Sequence, residues 1–331
     1  MRTRGREGAR AQASAPKGSS MTFGNRLDKA YRKFRKRFGI AKDYRVGRFE
    51  LTLSPDHQLD LWHKSERMDA PPLAEIARIA GRKYPDLAAI DIGANVGDTA
   101  ALICHHLDVP VLCIEGQPVF AAYLRKNLAR LPAGIEVVEC LVGAPAGDVP
   151  VEQLRRHNGT AVFLPTAPQK VGGRTVRMRP LSDILRDHPR FARPRLIKID
   201  TDGLDFEILL SSRDVIAETH PILFFEYTLD VRQDACRQSI AAISRLQELG
   251  YDRFLVYDHA GHFLRVIDGD VIGPFRDMNR YFMSQRLAGH WIIHHFDIAA
   301  FSTADADLAL ALRDAHRAMI DQGIRDAGLE Q

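Results

Sequence analysis

The stretch Leu87-Ala88-Ala89-Ile90-Asp91-Ile92-Gly93-Ala94-Asn95-Val96-Gly97-Asp98-Thr99 decides the fold. A short apolar run closes on an acid, passes through a glycine-rich turn and continues as the helical pattern Ala100, Ala101, Leu102, Ile103. That is a buried parallel strand handing over to a helix at the carboxyl edge of a sheet, where open α/β folds bind ligands. Gly93 and Gly97 admit backbone angles closed to other residues and let a ligand approach the main chain. Their spacing is G-x-x-x-G, whereas dinucleotide folds place G-x-G-x-x-G around a pyrophosphate. Asp91 beside the turn repels a pyrophosphate but suits a cation, such as the ammonium and sulfonium of S-adenosylmethionine.

Working outward, Val111-Leu112-Cys113-Ile114-Glu115 is a second buried strand ending in an acid. Its distance from Gly93 is about that at which a doubly wound fold sets a carboxylate on the ribose hydroxyls. A carboxylate accepts both protons of a vicinal diol, so Glu115 is a cofactor candidate. Ile135 to Leu141 reads as the third strand. Residues 143–180 are strand-like and turn-rich, a hairpin insertion beside the site, with His157 in its middle. Arg195 to Asp200 is the fourth strand, beside the first across the switch point, so its end meets the same crevice. Alternation turns Lys198 and Asp200 to one face and Ile197 and Ile199 to the other. A lysine in such a strand is costly unless paired, and a structural ion pair is the plain alternative to a catalytic one. Pro221 to Tyr227 is the fifth strand and carries Glu226 near its end. Phe254–Tyr257 and Phe263–Ile267 form a terminal hairpin, and residues from 271 onward read as a helical extension.

Two phrases carry a family resemblance. Asp91-Ile92-Gly93-Ala94-Asn95-Val96-Gly97-Asp98-Thr99 resembles the opening motif of the FkbM family of S-adenosylmethionine-dependent methyltransferases. Leu196-Ile197-Lys198-Ile199-Asp200-Thr201-Asp202-Gly203-Leu204-Asp205 resembles that family's second signature, usually ending Val-Glu-Gly-Ala-Glu. This chain has Thr-Asp-Gly-Leu-Asp there, with shorter acidic side chains of the same sign. The resemblance spans roughly residues 46 to 270. It implies a Rossmann-like class I methyltransferase, α/β, with a mostly parallel seven-stranded sheet and a terminal antiparallel hairpin. It implies S-adenosyl-L-methionine as cofactor, with Asp91, Gly93, Asn95 and Gly97 as contacts and Lys198 to Gly203 beside the reacting centre. Thr99, Glu115 and Asp200 complete the expected cofactor shell. The implied reaction is O-methylation of a hydroxyl on a glycan, polyketide or related natural product. A base would assist it, and the catalytic candidates are Glu226 first, then Asp202, with His157 and Lys198 behind. No metal is expected, because His290, His294 and His295 lack an acid or cysteine at ligand spacing. A nicotinamide oxidoreductase and a non-catalytic binding protein of the same fold are the alternatives.

The whole chain has 331 residues, 45% hydrophobic and 27% charged, ordinary for a globular protein with a sizeable core. No apolar run is long enough for a transmembrane helix, and no secretory signal is present, so a cytoplasmic location is expected. Cys104, Cys113, Cys140 and Cys236 have no C-x-x-C spacing and read as reduced thiols. Residues 1–48 carry 15 Lys and Arg against Glu7, Asp28 and Asp43, net +12, and the rest is net −8. Nucleic acid is therefore not an expected partner of the body, and polyanion contact is confined to the arm. The arm divides into a disordered basic tail over 1–24, where Met21 offers a second start, and a basic amphipathic helix over 25–45. Leu27, Tyr31, Phe34 and Phe38 make its apolar stripe. Such a helix lies on an anionic membrane through 25–38, or packs its stripe on the body, the commoner fate. A brace over 46–86, the cofactor domain over 87–270 and the extension over 271–331 complete the expected organisation.

Overall fold

The computed structural model describes residues 31, 33–60, 71–157, 159–164, 173–201, 203–229, 234–289 and 292–329. In chain order it begins with the hairpin β1 (Lys42–Val46) and β2 (Phe49–Leu53), then helix α1 (Pro72–Lys83). Pro71 and Pro72 start α1, where the missing N–H is no loss, and Leu73, Ile76, Ala77 and Ala80 form its buried stripe. Next come β3 (Ala89–Ile92), α2 (Asp98–Ile103), β4 (Val111–Ile114), α3 (Pro118–Asn127) and β5 (Ile135–Val138). An insertion follows: β6 (Leu141–Val142), β7 (Gly147–Pro150), β8 (Leu154–His157), β9 (Thr160–Phe163) and β10 (Thr175–Arg179). The chain then runs through α4 (Leu181–Asp187), β11 (Leu196–Ile199), α5 (Asp205–Ser211), α6 (Arg213–Thr219) and β12 (Ile222–Tyr227). It ends with α7 (Ala235–Glu248), β13 (Tyr251–Asp258), β14 (Phe263–Asp268), α8 (Ile272–Leu287), β15 (Phe296–Ser302) and α9 (Ala306–Asp326).

One sheet of eight strands, ordered β14-β13-β15-β12-β11-β3-β4-β5, organises these elements into a Rossmann-like α/β fold. Its centre is parallel, from β5 through β4, β3 and β11 to β12. Both faces of the central strands are buried, and alternation sorts their side chains. Ile90, Ile92, Leu112, Ile114, Ile197 and Ile199 face one core together with α4, α5, α7 and α8. Ala89, Val111, Cys113 and Leu196 face the other core, closed by α1, α2 and α9. Lys198 shares that second face with Leu196, and Asp91 shares it with Ala89, so the two charges meet inside it.

The expectation of seven strands is corrected to eight. The reversed strand in the middle of the sheet is β15, which pairs antiparallel with β12 on one side and β13 on the other. The β13–β14 hairpin exists, with β14 as the outer strand. Residues beyond 271 are therefore not only helical. Phe-Asp-Ile-Ala-Ala-Phe-Ser is buried on both faces, so it lacks the alternation that marks a strand in sequence.

The start of the described chain also differs from expectation. Residues 33–38 are helical, but residues 42–45, counted in the helix, belong to β1 and pair with β2 instead. Arg35, expected on the basic face, turns inward at 1% exposure and donates from Nε to the Ile40 carbonyl (3.3 Å). Tyr31, Phe34 and Phe38 point outward at 59%, 50% and 61% exposure, so this stripe does not pack on the body. Leu27 and the tail lie outside the described residues.

The hairpin seats Val46, Leu51 and Leu53 against Val96, Ala101 and Leu131. Asn127, fully buried in α3, fastens it: Oδ1 accepts from Thr52 N (2.7 Å), and Nδ2 donates to the carbonyls of Thr52 (3.0 Å) and Val96 (2.9 Å). Asn127→Leu leaves these backbone groups without a partner, at a cost of about 2–4 kcal/mol. Chemical denaturation should show that loss with an unchanged m-value; a midpoint equal to the parent's would mean the clamp carries no weight.

Candidate functional site

The turn after β3 is shaped by three residues in the left-handed region. Gly93 has φ +78°, and a Cβ there would run into the carbonyl oxygen of Asp200, so only glycine allows β3 and β11 to end this close together. Gly93 N donates to Ile114 O (2.9 Å), which holds the turn against β4. Asn95 (φ +46°) donates from its backbone to a Glu115 carboxylate oxygen (2.8 Å) and from Nδ2 to Gly159 O (2.8 Å). The asparagine thus ties the turn to the β8–β9 hairpin. Gly97 (φ +92°) opens α2 against Leu124.

Asp91 does not reach the cleft. It is fully buried, accepts from Thr99 Oγ1 (2.5 Å) and pairs with Lys198 Nζ at 3.1 Å. The same Nζ donates to Gly93 O (3.0 Å) and lies 3.5 Å from Asp200 Oδ2. Burial opposes the charge on Lys198, but Asp91, Asp200 and Asp98 around it outweigh that and raise its pKa. Lys198 is therefore a permanent cation with its donors engaged, not a proton carrier. Asp91, Gly97 and Thr99, also expected as cofactor contacts, do not line the cleft in front of the turn, and the lysine one strand away holds the Asp91 carboxylate.

The cleft in front holds about 590 Å³ of space, part of it open to solvent. Four of the cofactor candidates, Gly93, Asn95, Glu115 and Asp200, line it. Glu115 accepts from Asn95 N and, at 2.6 Å, from Gln117 N; burial pushes its carboxyl up to about 7 against those two bonds. Gln117, just before α3, lines the cleft and caps that helix by accepting from Val119 N (2.6 Å). Ile114, Cys140, Leu141 and Phe163 give the cleft apolar walls. The insertion strands supply the last two, and nothing local in the sequence pairs them with Glu115.

At the far end stand Asp200 and Thr201. Burial raises Asp200, but Lys198, His295 and a hydrogen bond with Glu226 outweigh it and hold the carboxylate below its ordinary value. Behind it, Asp205 accepts from Thr201 N (3.3 Å) and Gly203 N (3.3 Å), and burial pushes it up to about 7. Glu226 lies beyond Asp200, 14% exposed, with His295 Nδ1 at 3.9 Å. Asp202 lies outside the described residues; His157 belongs to β8, but its side chain is likewise outside them.

The sequence matches the model of the Methyltransferase FkbM domain over residues 91–253, from the acid of the first phrase to the start of β13. No curated protein matches it. Among solved structures it is similar to methyltransferase FkbM from Methylobacillus flagellatus KT, at 22% identity over 43% of this chain, with a TM-score of 0.30. This chain spans only 33% of that protein. It is also similar to cofactor-bound Rv0187 from MTB (12% identity, 84% of this chain and 91% of that one, TM-score 0.37). A third is the Pyrococcus abyssi tRNA (uracil-54, C5)-methyltransferase in complex with S-adenosyl-L-homocysteine (9%, 79% and 44%, TM-score 0.34). Function rests on the domain match rather than on these likenesses.

The cofactor of such a domain is S-adenosylmethionine, and several groups lining the cleft have chemistry that suits it. Glu115 offers carboxylate oxygens to a ribose diol, the apolar walls suit a purine, and ionised Asp200 suits a cationic end. Because the free Glu115 carboxyl holds its proton up to about pH 7 and a diol favours the ionised form, binding below that pH must expel the proton. Affinity for S-adenosylhomocysteine should therefore rise as pH climbs through 7 and then level off. Calorimetry in two buffers of different ionisation enthalpy should register one proton released at pH 6 and none for Glu115→Gln. Equal release from both proteins would remove Glu115 from the ribose.

Proposed function

The chain belongs to the FkbM methyltransferase family through residues 91–253, and from that premise we propose that it methylates a hydroxyl oxygen of a sugar, glycan or related natural product. The observation that carries this reading is the cleft's two ends: a diol-accepting Glu115 at one, and a cluster of acids around Asp200 and Glu226 at the other. S-adenosylmethionine supplies a methyl group already activated on sulfur. The chain's task is then alignment, which in favourable models contributes up to roughly 7–11 kcal/mol. Glu115 and the apolar walls hold the donor end. Lys198 keeps Asp200 ionised, so the far end carries negative charge opposite a cation and offers acceptors to hydroxyl protons. Labelled S-adenosylmethionine should transfer its methyl to fractionated cell-envelope glycans or small hydroxylated metabolites, giving products stable to mild alkali as ethers are. Alkali-labile label, label on nitrogen, or a thermal shift with a nicotinamide cofactor and none with S-adenosylmethionine would overturn the reading.

A second reading concerns where the enzyme works. No helix among the described residues is long and apolar enough to cross a membrane. The outward aromatic stripe of Tyr31, Phe34 and Phe38, flanked by exposed Lys33, Lys36 and Arg37, supports peripheral contact with an anionic membrane from the cytoplasmic side. Each basic residue near such a surface contributes about 1 kcal/mol. Lipid-linked glycans would then be within reach. Flotation with phosphatidylglycerol vesicles should carry the chain upward at low salt, and Phe34→Ser with Phe38→Ser should leave it at the bottom. Equal flotation of the double variant would refute the contact.

A further inference from the structure

Beyond Asp200 the sheet edge gathers groups from three strands. Glu226 is the penultimate residue of β12, and Asp297, directly opposite it in register, is the second of β15. His295, just before β15, lies with Nδ1 3.9 Å from Glu226 Oε1 and Nε2 4.0 Å from Asp297 Oδ1, its side chain 30% exposed. The ring of His259, in the turn after β13, stands edge-on to His294 at 5.4 Å and to His295 at 6.2 Å between centroids. Asp258 closes that side, bound to exposed His262. Sequence reading weighed His294 and His295 only as metal ligands. Among the described residues no group suited to a metal forms there.

We propose that this cluster is the acceptor site and that His295, flanked by Glu226 and Asp297, is the base that takes the acceptor's hydroxyl proton. The inference rests on the O-methylation reading above. It displaces Glu226 from first place for a geometric reason: Glu226 hydrogen-bonds Asp200, the wall shared with the donor cleft, and is committed there. His295 lies 3.9 Å from it, with its side chain 30% exposed. In the reaction an oxygen lone pair forms the O–C bond to the methyl group while the C–S bond breaks, its electron pair staying on sulfur. The hydroxyl proton passes to the imidazole of His295, whose positive charge the Asp297 carboxylate and ionised Asp200 stabilise, and later leaves to water.

The cluster also states what the acceptor is. Asp200, Glu226, Asp258 and Asp297 line one edge, with Lys198 neutralised by Asp91 and Asp200. Burial, followed by Asp200, pushes Asp297 up to about 6, against the opposing effect of His295, so near neutral pH the edge is anionic. It suits a neutral polyol at the reacting end and repels a phosphorylated or carboxylated one.

The test separates this proposal from the family reading. S-adenosylhomocysteine should bind parent, His295→Gln and Asp297→Asn equally in calorimetry. If even the parent fails to bind, the methyltransferase reading has fallen instead. Diethyl pyrocarbonate with peptide mass spectrometry needs no acceptor: His295 should be modified readily in the parent, and its rate should change in both Glu226→Gln and Asp297→Asn. An unreactive His295, or a rate blind to both substitutions, overturns the proposal. On the acceptors that the parent methylates, His295→Gln should lower kcat by about 10²–10⁴-fold. The donor KM should not move, and added imidazole should restore part of the rate in His295→Gly. Full activity of His295→Gln, or equal use of a neutral glycoside and its phosphate ester, would likewise overturn it.

Discussion

An ion pair buried between two parallel strands holds this molecule's site together. Lys198 and Asp91 face each other across β11 and β3 with 2% and 0% of their side chains exposed. Withdrawing two such charges from water costs several kcal/mol each, which the attraction offsets only when the remaining valences are met. Here Thr99 donates to one oxygen of the carboxylate, and the ammonium, 3.1 Å from the other, also reaches the Gly93 carbonyl and Asp200. The last two of those contacts, Gly93 and Asp200, line the cleft. The pair therefore does more than join two strands. It fixes the glycine turn through a carbonyl and sets the charge of Asp200 through proximity. Removing one partner would leave the other as an uncompensated buried charge, a far larger disturbance than replacing both.

Much of the architecture was legible in the sequence because parallel strands leave a strong local trace. Each central strand is a short apolar run ending at an acid or a turn, and Glu115 follows from one such end at a set distance from the turn. The alternation of Lys198 and Asp200 against Ile197 and Ile199 was equally local. What sequence could not show is which charges meet across strands. Asp91 looked like a ligand contact because its position at a strand tip is shared by contacts and by structural acids alike. The distinction depends on Lys198, more than a hundred residues away in the chain. His295 was hidden for the same reason: only the pairing of β15 with β12 sets it beside Glu226. β15 itself escaped because burial on both faces erases the period-two pattern.

The site divides along the sheet into two halves with different physics. Around Glu115 the carboxylate is tuned by burial and two backbone donors, and its neighbours are apolar. Around Asp200 the carboxylates are tuned by one another, by Lys198 and by imidazoles. The first environment suits a large, partly apolar ligand held by one polar grip; the second suits a small polar group that must exchange a proton. Asp200 belongs to both, which makes it the point through which occupancy of one half alters the electrostatics of the other.

The placement of β15 has a bearing on how the protein is made. β12 and β13 are both synthesised well before β15, yet in the finished sheet β15 lies between them. Until that late segment emerges, two strands hold open, hydrogen-bond-hungry edges toward each other, the arrangement most prone to pairing with the wrong chain. The half that grips the donor can assemble from earlier segments, whereas the half that receives the acceptor is finished last, by the strand that closes the gap. Nascent chains stalled before residue 296 would thus hold a nearly complete pocket for one substrate and none for the other.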